Sequence, residues 1–245
     1  MKHAPAGAKH TGEALVIAHR GASAYRPENT LPAYALAVEQ RAHMIEIDLH
    51  LTRDNEVVIT HDESLEGLGG EGEIAAATLA EVRALDAGQG QRVPTLEEVL
   101  DHFGEAIPFN LEIKAGGAGP YRGLEERALA ALRSRGLLER TLFSSFFDAV
   151  LARLRELEPT VRLGCLVSPR RPERRLERAL AVGAEALNPW FGLVTPELVA
   201  AAHAADLAVY PYTVDREEDM RRLLDMGVDG MLTNHPDRLR SLIEA

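Results

Sequence analysis

Disulfides are the first thing this chain cannot have: a single cysteine, Cys165, stands in 245 residues. A reducing compartment is therefore the expected setting. No apolar run approaches the ~20 residues that a membrane helix needs. The first residues carry lysines but no apolar core behind them, so no secretory leader is expected there and the cytoplasm is the predicted location. Aromatic residues are scarce, at 5%, so their clustering carries information. Positive charge is in deficit, with 27 Lys and Arg against 38 Asp and Glu for a net −11. Such a chain has little nonspecific affinity for nucleic acid or for an anionic membrane, and neither is an expected partner. An anionic substrate must instead meet a local positive site.

Several familiar signatures are also missing. No H-E-x-x-H occurs, and neither the nine histidines nor the cysteine show zinc-like spacing. Ser144 and Ser145 lack the context of a nucleophile elbow. Gly67, Gly69 and Gly72 match G-x-G-x-x-G but do not follow a strand directly. Glu66, Glu71 and Glu73 around them would repel a pyrophosphate, so the segment reads as a flexible loop.

What is present is an ordinary globular composition, 46% hydrophobic and 27% charged. Residues 1–12 read as a mobile tail, and residues 13–245 as one domain. Short runs rich in branched residues predict strands at Leu15–His19, Met44–Leu51, Val57–Thr60, Pro108–Ile113, Thr141–Ser145, Val161–Val167, Glu185–Asn188, Ala208–Thr213 and Val228–Leu232. Amphipathic segments between them predict helices. Thr78 with Glu81, Thr95 with Glu98 and Asp215 with Glu218 have capping-box spacing. Only Thr52 to Glu56 separate the second and third strands, too few for a parallel crossover. Those two strands should form an antiparallel hairpin turning at Asp54 and Asn55. Eight strands remain, each followed by a helix, which predicts a TIM (β/α)8 barrel with a small insertion at about 63–93, after the second barrel strand. An open doubly wound sheet is the competing architecture.

The chemistry sits on alternating strand positions. Along Met44–Leu51 the residues Ile45, Ile47, Leu49 and Leu51 take one face, while Glu46, Asp48 and His50 take the other. Along Phe109–Lys114 the inward set is Asn110, Glu112 and Lys114. Carboxylates on an inward face are costly unless something positive offsets them. Salt bridges to Lys or Arg would do so. A hard divalent ion, Mg²⁺ or Ca²⁺, held by Glu46, Asp48 and Glu112, would also do so. His19, Arg20 and Gly21 follow the first strand, on the face where barrel enzymes gather catalytic groups. The hairpin must bring His61 back toward Glu46 and Asp48, which makes it a second acid/base candidate. Phe146, Phe147, Trp190, Phe191 and Tyr212 fall at strand ends and would wall the mouth. Cys165 reads as core. Arg170, Arg171, Arg174, Arg175 and Arg178, interleaved with Glu173 and Glu177, read as a solvated helix face.

An ordered set of short motifs carries a family resemblance. It comprises His19-Arg20-Gly21, Pro27 to Thr30, Glu46 with Asp48, His61-Asp62, Pro94 to Leu96 and Glu112 with Lys114. Phe143 to Phe146, Tyr212 to Asp215, and Asp229-Gly230 with Thr233 complete it. From about residue 15 to about residue 240 the chain resembles the glycerophosphodiester phosphodiesterases, TIM-barrel enzymes with a small insertion. The resemblance implies metal-dependent hydrolysis of a small-molecule glycerophosphodiester to glycerol 3-phosphate and an alcohol. It implies one divalent cation on Glu46, Asp48 and Glu112, acid/base roles for His19 and His61, and phosphate contacts from Arg20 and Lys114. Tyr212 would supply an aromatic wall. A lysophospholipase D-like activity on lysophospholipids is the alternative, although no membrane-binding stripe is visible. The chain departs from the family where Tyr212 replaces a Trp, Asp215 an Asn, and Asn234 an Asp. It also lacks the Arg-Thr-Thr run common after His-Asp. These departures bear on substrate preference.

Overall fold

The computed structural model describes residues 13–245, and the tail expected over residues 1–12 lies outside the described residues. The strands in chain order are β1 (Leu15–His19), β2 (Met44–Leu51), β3 (Val57–Ile59), β4 (Phe109–Ile113), β5 (Ala115–Gly116) and β6 (Gly119–Pro120). They continue with β7 (Thr141–Ser145), β8 (Arg162–Val167), β9 (Ala186–Pro189), β10 (Ala208–Val209) and β11 (Gly230–Thr233). Eight of them form one parallel ladder, in the order β10-β9-β8-β7-β4-β2-β1-β11. The seam between β10 and β11 is bridged by backbone hydrogen bonds from Asp229 to Val209, Leu232 to Pro211 and Val214 to Leu232. Helices alternate with these strands. The architecture is a nearly closed TIM barrel.

The alternation read from the sequence sets the two faces of this wall. Ile45, Ile47, Leu49, Leu51, Leu111, Ile113 and Cys165 belong to the main apolar core, where the barrel wall meets the helices. Ile17, Met44, Leu142, Ala186, Tyr210 and Leu232 form a separate cluster that fills the barrel interior. That cluster closes one end. The positions one alternation further along the strands carry the polar groups of the other end.

The hairpin is as expected. β3 pairs antiparallel with β2, Leu49 opposite Ile59 and Leu51 opposite Val57, and Asn55 turns the chain at φ 65°. The next 30 residues build a small apolar cluster of Leu65, Ile74, Ala77, Val82 and Val93 on Val58. Thr78 and Thr95 form complete capping boxes with Glu81 and Glu98.

Three local expectations need correction. The strand expected over Ala208–Thr213 ends at Val209; Pro211, which has no N–H, interrupts the ladder, although Tyr210 and Tyr212 still donate to Leu187 and Pro189. Asp215 does not cap the following helix, Glu217–Asp225, whose N-cap is Arg216; its carboxylate is engaged by Asn234 instead. The arginine-rich segment is only partly helical. Its helix spans Arg175–Ala181, so Arg170 and Arg171 lie on the turn after β8 and not on a helix face.

Candidate active site

Glu46 and Asp48 project inward from β2, and Glu112 from β4, where Asp48 and Glu112 are in register. All three are buried. One oxygen from each lies within 4.8 Å of the others. This convergence follows from the period of two along each strand and the parallel register between them.

Two cations face the cluster. Lys114 Nζ lies 2.9 Å from Glu112 Oε1 and 3.1 Å from Asp48 Oδ1. Arg20 Nε lies 3.2 Å from Asp48 Oδ2. The salt bridges weighed in the sequence are therefore real, and they involve the residues expected to meet a phosphate. They leave the carboxylates unequal. Burial would raise Asp48, but Lys114 and Arg20 outweigh it and hold the carboxyl below its usual range. Burial, together with repulsion from Asp48 and Glu112, pushes Glu46 well above the usual range. Burial also raises Glu112, against the pull of Lys114.

Arg20 is positioned by unusual means. Its backbone lies in the left-handed region at φ 57°. That conformation costs about 1–3 kcal/mol and persists only where surroundings enforce it. The enforcement is visible: its amide donates to both the carbonyl and Oε2 of Glu46, each at 3.0 Å. Its guanidinium is held by both oxygens of Glu28 at 3.0 Å. Gly21 follows at φ 84°, where a Cβ would lie 2.7 Å from the Ala33 carbonyl carbon. The glycine thus serves a close approach to the helix Leu31–Glu39, not to a ligand.

Burial, reinforced by the charge of Arg20, lowers His19 to a pKa of about 4, against the pull of Asp48. Its Nδ1 meets Asn234 Oδ1 at 2.7 Å. His61 returns on the strand partner, as the hairpin requires: the Thr60 amide donates to the Asp48 carbonyl at 3.2 Å. His61 is more exposed, and its Nδ1 lies 2.7 Å from Asp62 Oδ1. The charges of both histidines bear on Asp48.

Tyr212 stands at the mouth with its hydroxyl donating to the Val167 carbonyl at 3.1 Å. Its ring meets Phe146 edge-on at 5.8 Å. Trp190 and Phe191 make a second aromatic pair.

Several supporting residues had no role assigned from the sequence. Asn29 donates to Asp48 Oδ2 at 2.8 Å and accepts from the Tyr34 hydroxyl at 3.0 Å. His50 Nε2 donates to the His61 carbonyl at 3.2 Å, and its Nδ1 accepts from the Tyr121 hydroxyl at 2.7 Å. The signal for Glu28 and Asn29 was their place in Pro27 to Thr30, and for His50 its inward position on β2; Tyr34 and Tyr121 gave none beyond composition.

The donor set suits a cation. Glu46 Oε1 is buried with no hydrogen-bond donor, while Asp48 Oδ1 lies against the Lys114 ammonium at 3.1 Å. A buried oxygen without a partner is costly. Three carboxylates at this spacing can hold one divalent ion through oxygen. No helix among the described residues is long and apolar enough to cross a membrane.

Comparison with known proteins agrees with this geometry. Residues 19–238 match the model of the glycerophosphoryl diester phosphodiesterase family. A glycerophosphodiester phosphodiesterase of Caldanaerobacter subterraneus is 38% identical, over 94% of this chain and 97% of that relative. The crystal structure of a putative glycerophosphoryl diester phosphodiesterase from Silicibacter pomeroyi superposes with a TM-score of 0.89 and 30% identity, covering 97% of this chain and 96% of that one. A phosphodiesterase of Oleispira antarctica, solved in complex with the product sn-glycerol-3-phosphate, has a TM-score of 0.81 and 33% identity, with 95% and 98% covered. A barrel whose mouth joins three carboxylates, two cations and two histidines, on a chain matched nearly end to end, belongs to the glycerophosphoryl diester phosphodiesterase family.

Proposed function

We propose that this protein hydrolyses glycerophosphodiesters to glycerol 3-phosphate and an alcohol, using one divalent cation and two histidines. The observation that carries the reading is the convergence of Glu46, Asp48 and Glu112 within 4.8 Å, with Arg20 and Lys114 against them. That is a site for a cation and a phosphate together.

Glu46, Asp48 and Glu112 would hold the ion, and all-oxygen ligation suits Mg²⁺ or Ca²⁺. When bound, the ion supplies Lewis-acid stabilisation of charge on the phosphate oxygens. Arg20 and Lys114 bind nonbridging oxygens and stabilise the same developing charge. Tyr212 walls the substrate on the side of β9 and β10.

His19 is assigned the general base. Asn234 offers it an oxygen, so Nδ1 carries the proton and Nε2 keeps a free lone pair. A pKa of about 4 keeps the ring neutral at physiological pH. His61 is assigned the general acid, with Asp62 Oδ1 2.7 Å from its Nδ1 to orient the ring. His19 takes the proton from the attacking hydroxyl as the new P–O bond forms. His61 gives a proton to the departing alkoxide as the old P–O bond breaks. The attacking hydroxyl is either water or the neighbouring hydroxyl of the glycerol, which gives a cyclic phosphate that water then opens.

The test is release of glycerol 3-phosphate from glycerophosphocholine and glycerophosphoethanolamine, with chelator and then with Mg²⁺ or Ca²⁺ restored. Release that stops with chelator and returns with metal is expected. No release with either metal, from folded protein, overturns the reading.

A further inference from the structure

One feature outside the reacting centre combines shape with charge. A groove of about 430 Å³ opens beside the mouth, over the ends of β7 and β8. Phe146, Phe147 and Leu166 line its apolar part, and Arg170, Arg171 and Arg178 its far side.

The groove adjoins the mouth through Phe146. Phe146 and Leu166 lie two residues beyond Ser144 and Gly164, which are paired in register. Ser144 is itself in register with Glu112. Alternation therefore turns Phe146 and Leu166 toward the mouth. The ring of Phe146 meets Tyr212 edge-on, and the charges of Glu112 and Lys114 bear on Tyr212. Apolar surface thus runs from Tyr212 at the mouth, over Phe146, to the arginines.

Those arginines are not equivalent. Arg178 is tied to Asp148 at 2.7 Å, and Arg174 to Glu177 at 2.6 Å. Arg170 and Arg171 are exposed, with no carboxylate within 4.0 Å among the described residues. From residue 170 to residue 178 five arginines face two glutamates, in a chain of net charge −11. Two unpaired guanidiniums at the end of that apolar surface form an anion receptor beside the mouth.

We propose that this groove receives the leaving alcohol and that Arg170 and Arg171 select substrates whose alcohol carries a second anionic group, such as a phosphomonoester. The inference rests on the proposed phosphodiesterase reading and names its substrate class. Glycerol, three carbons long and neutral, gives the arginines no charge to bind. A cationic alcohol such as choline meets like charge in the groove. An alcohol bearing its own phosphate places that phosphate at the guanidiniums while the diester occupies Arg20 and Lys114.

The experiment compares two esters, glycerophosphoglycerol and the same ester with a phosphate on its leaving glycerol. Both are run at low ionic strength with wild type, R170Q/R171Q and R170E/R171E. Wild type is expected to favour the phosphorylated ester by about tenfold or more in kcat/KM, from one charge-assisted contact. The preference should sit mainly in KM, weaken with salt, fall toward unity in the Gln pair and invert in the Glu pair. Turnover of both esters without preference, or a preference that survives both pairs, overturns this inference alone. Absence of turnover with either ester overturns the phosphodiesterase reading along with it. Sedimentation with anionic vesicles, lost in both variants and accompanied by no ester preference, assigns the arginines to a membrane surface and also overturns the inference.

Discussion

Asp215 fixes which way Asn234 faces. Its carboxylate accepts the Asn234 amide at 2.8 Å and the side-chain Nδ2 at 2.7 Å. A carboxylate can only accept, so the NH₂ must point to Asp215 and the carbonyl oxygen to His19. Ser23 donates to the same oxygen at 2.7 Å. The tautomer of the His19 imidazole is thereby decided by a residue that does not touch it.

Asp215→Asn is expected to release that constraint and lower kcat by about 10- to 100-fold, the usual scale for a supporting shell, with little change in KM. Steady-state kinetics with saturating metal checks this. An unchanged kcat would remove Asp215 from the positioning role.

Asn234→Asp, made together with Asp215→Asn so that the new carboxylate does not face another at 2.7 Å, should move the acid limb of the pH profile. A carboxylate against Nδ1 favours the charged imidazolium, so the pKa of His19 rises from about 4. A base must be neutral to act, so activity is lost at a higher pH as the solution is acidified. The kcat/KM profiles of wild type and variant, compared at fixed metal saturation, measure the displacement.

Replacing His19 or His61 by Ala should each cost at least ~100-fold in turnover, the low end for acid/base catalysis. A substrate with a more acidic leaving alcohol should rescue His61→Ala and not His19→Ala, because it has less need of a proton. The opposite pattern would exchange the two assignments.

Metal binding should release protons. Burial and mutual repulsion raise Glu46 and Glu112, so a proton held there in acid competes with the cation. Affinity for Mg²⁺ or Ca²⁺ is expected to fall as pH is lowered. Calorimetry in buffers of different ionisation enthalpy reads the proton release, and a buffer-independent heat would contradict it.

His50 makes stability depend on pH. Burial lowers its pKa from 6.5 to about 4. Below pH 6.5 the unfolded chain takes up a proton that the native chain refuses until about pH 4. Stability is therefore full above 6.5 and falls as pH is lowered through this window, by at most about 3 kcal/mol from this residue. His50→Gln should flatten the fall, as read by denaturant unfolding at pH 6.5 and pH 4.5. It should also loosen His61, whose carbonyl His50 holds.

The strand Met44–Leu51 shows how far periodicity reaches. Its alternation separated Ile45, Ile47 and Leu49 from Glu46, Asp48 and His50, and the structure buries the first set against the helices and brings two of the second into the carboxylate cluster. The five residues between β2 and β3 were too few for a crossover, so the return of His61 was also legible. Asp215 shows where local reading stops. Its spacing to Glu218 is that of a cap, yet a partner 19 residues away, just past the end of β11, takes its carboxylate. Arg170 and Arg171 likewise share a charge pattern with a helix they do not join, because the chain turns before the helix begins.

The sequence by itself determined the barrel, the inward carboxylates and the two histidines, because strand period, loop length and motif order are all local quantities. It also displayed Asp215 and Asn234 as two separate departures from the family pattern. Only the tertiary structure showed that they are one pair, since β11 closes beside the segment that follows β10 and brings both to His19. Only the tertiary structure divided the arginines into paired and unpaired ones. Electrostatic partners are chosen by distance in space, and the barrel wall sets that distance between strands remote in the chain.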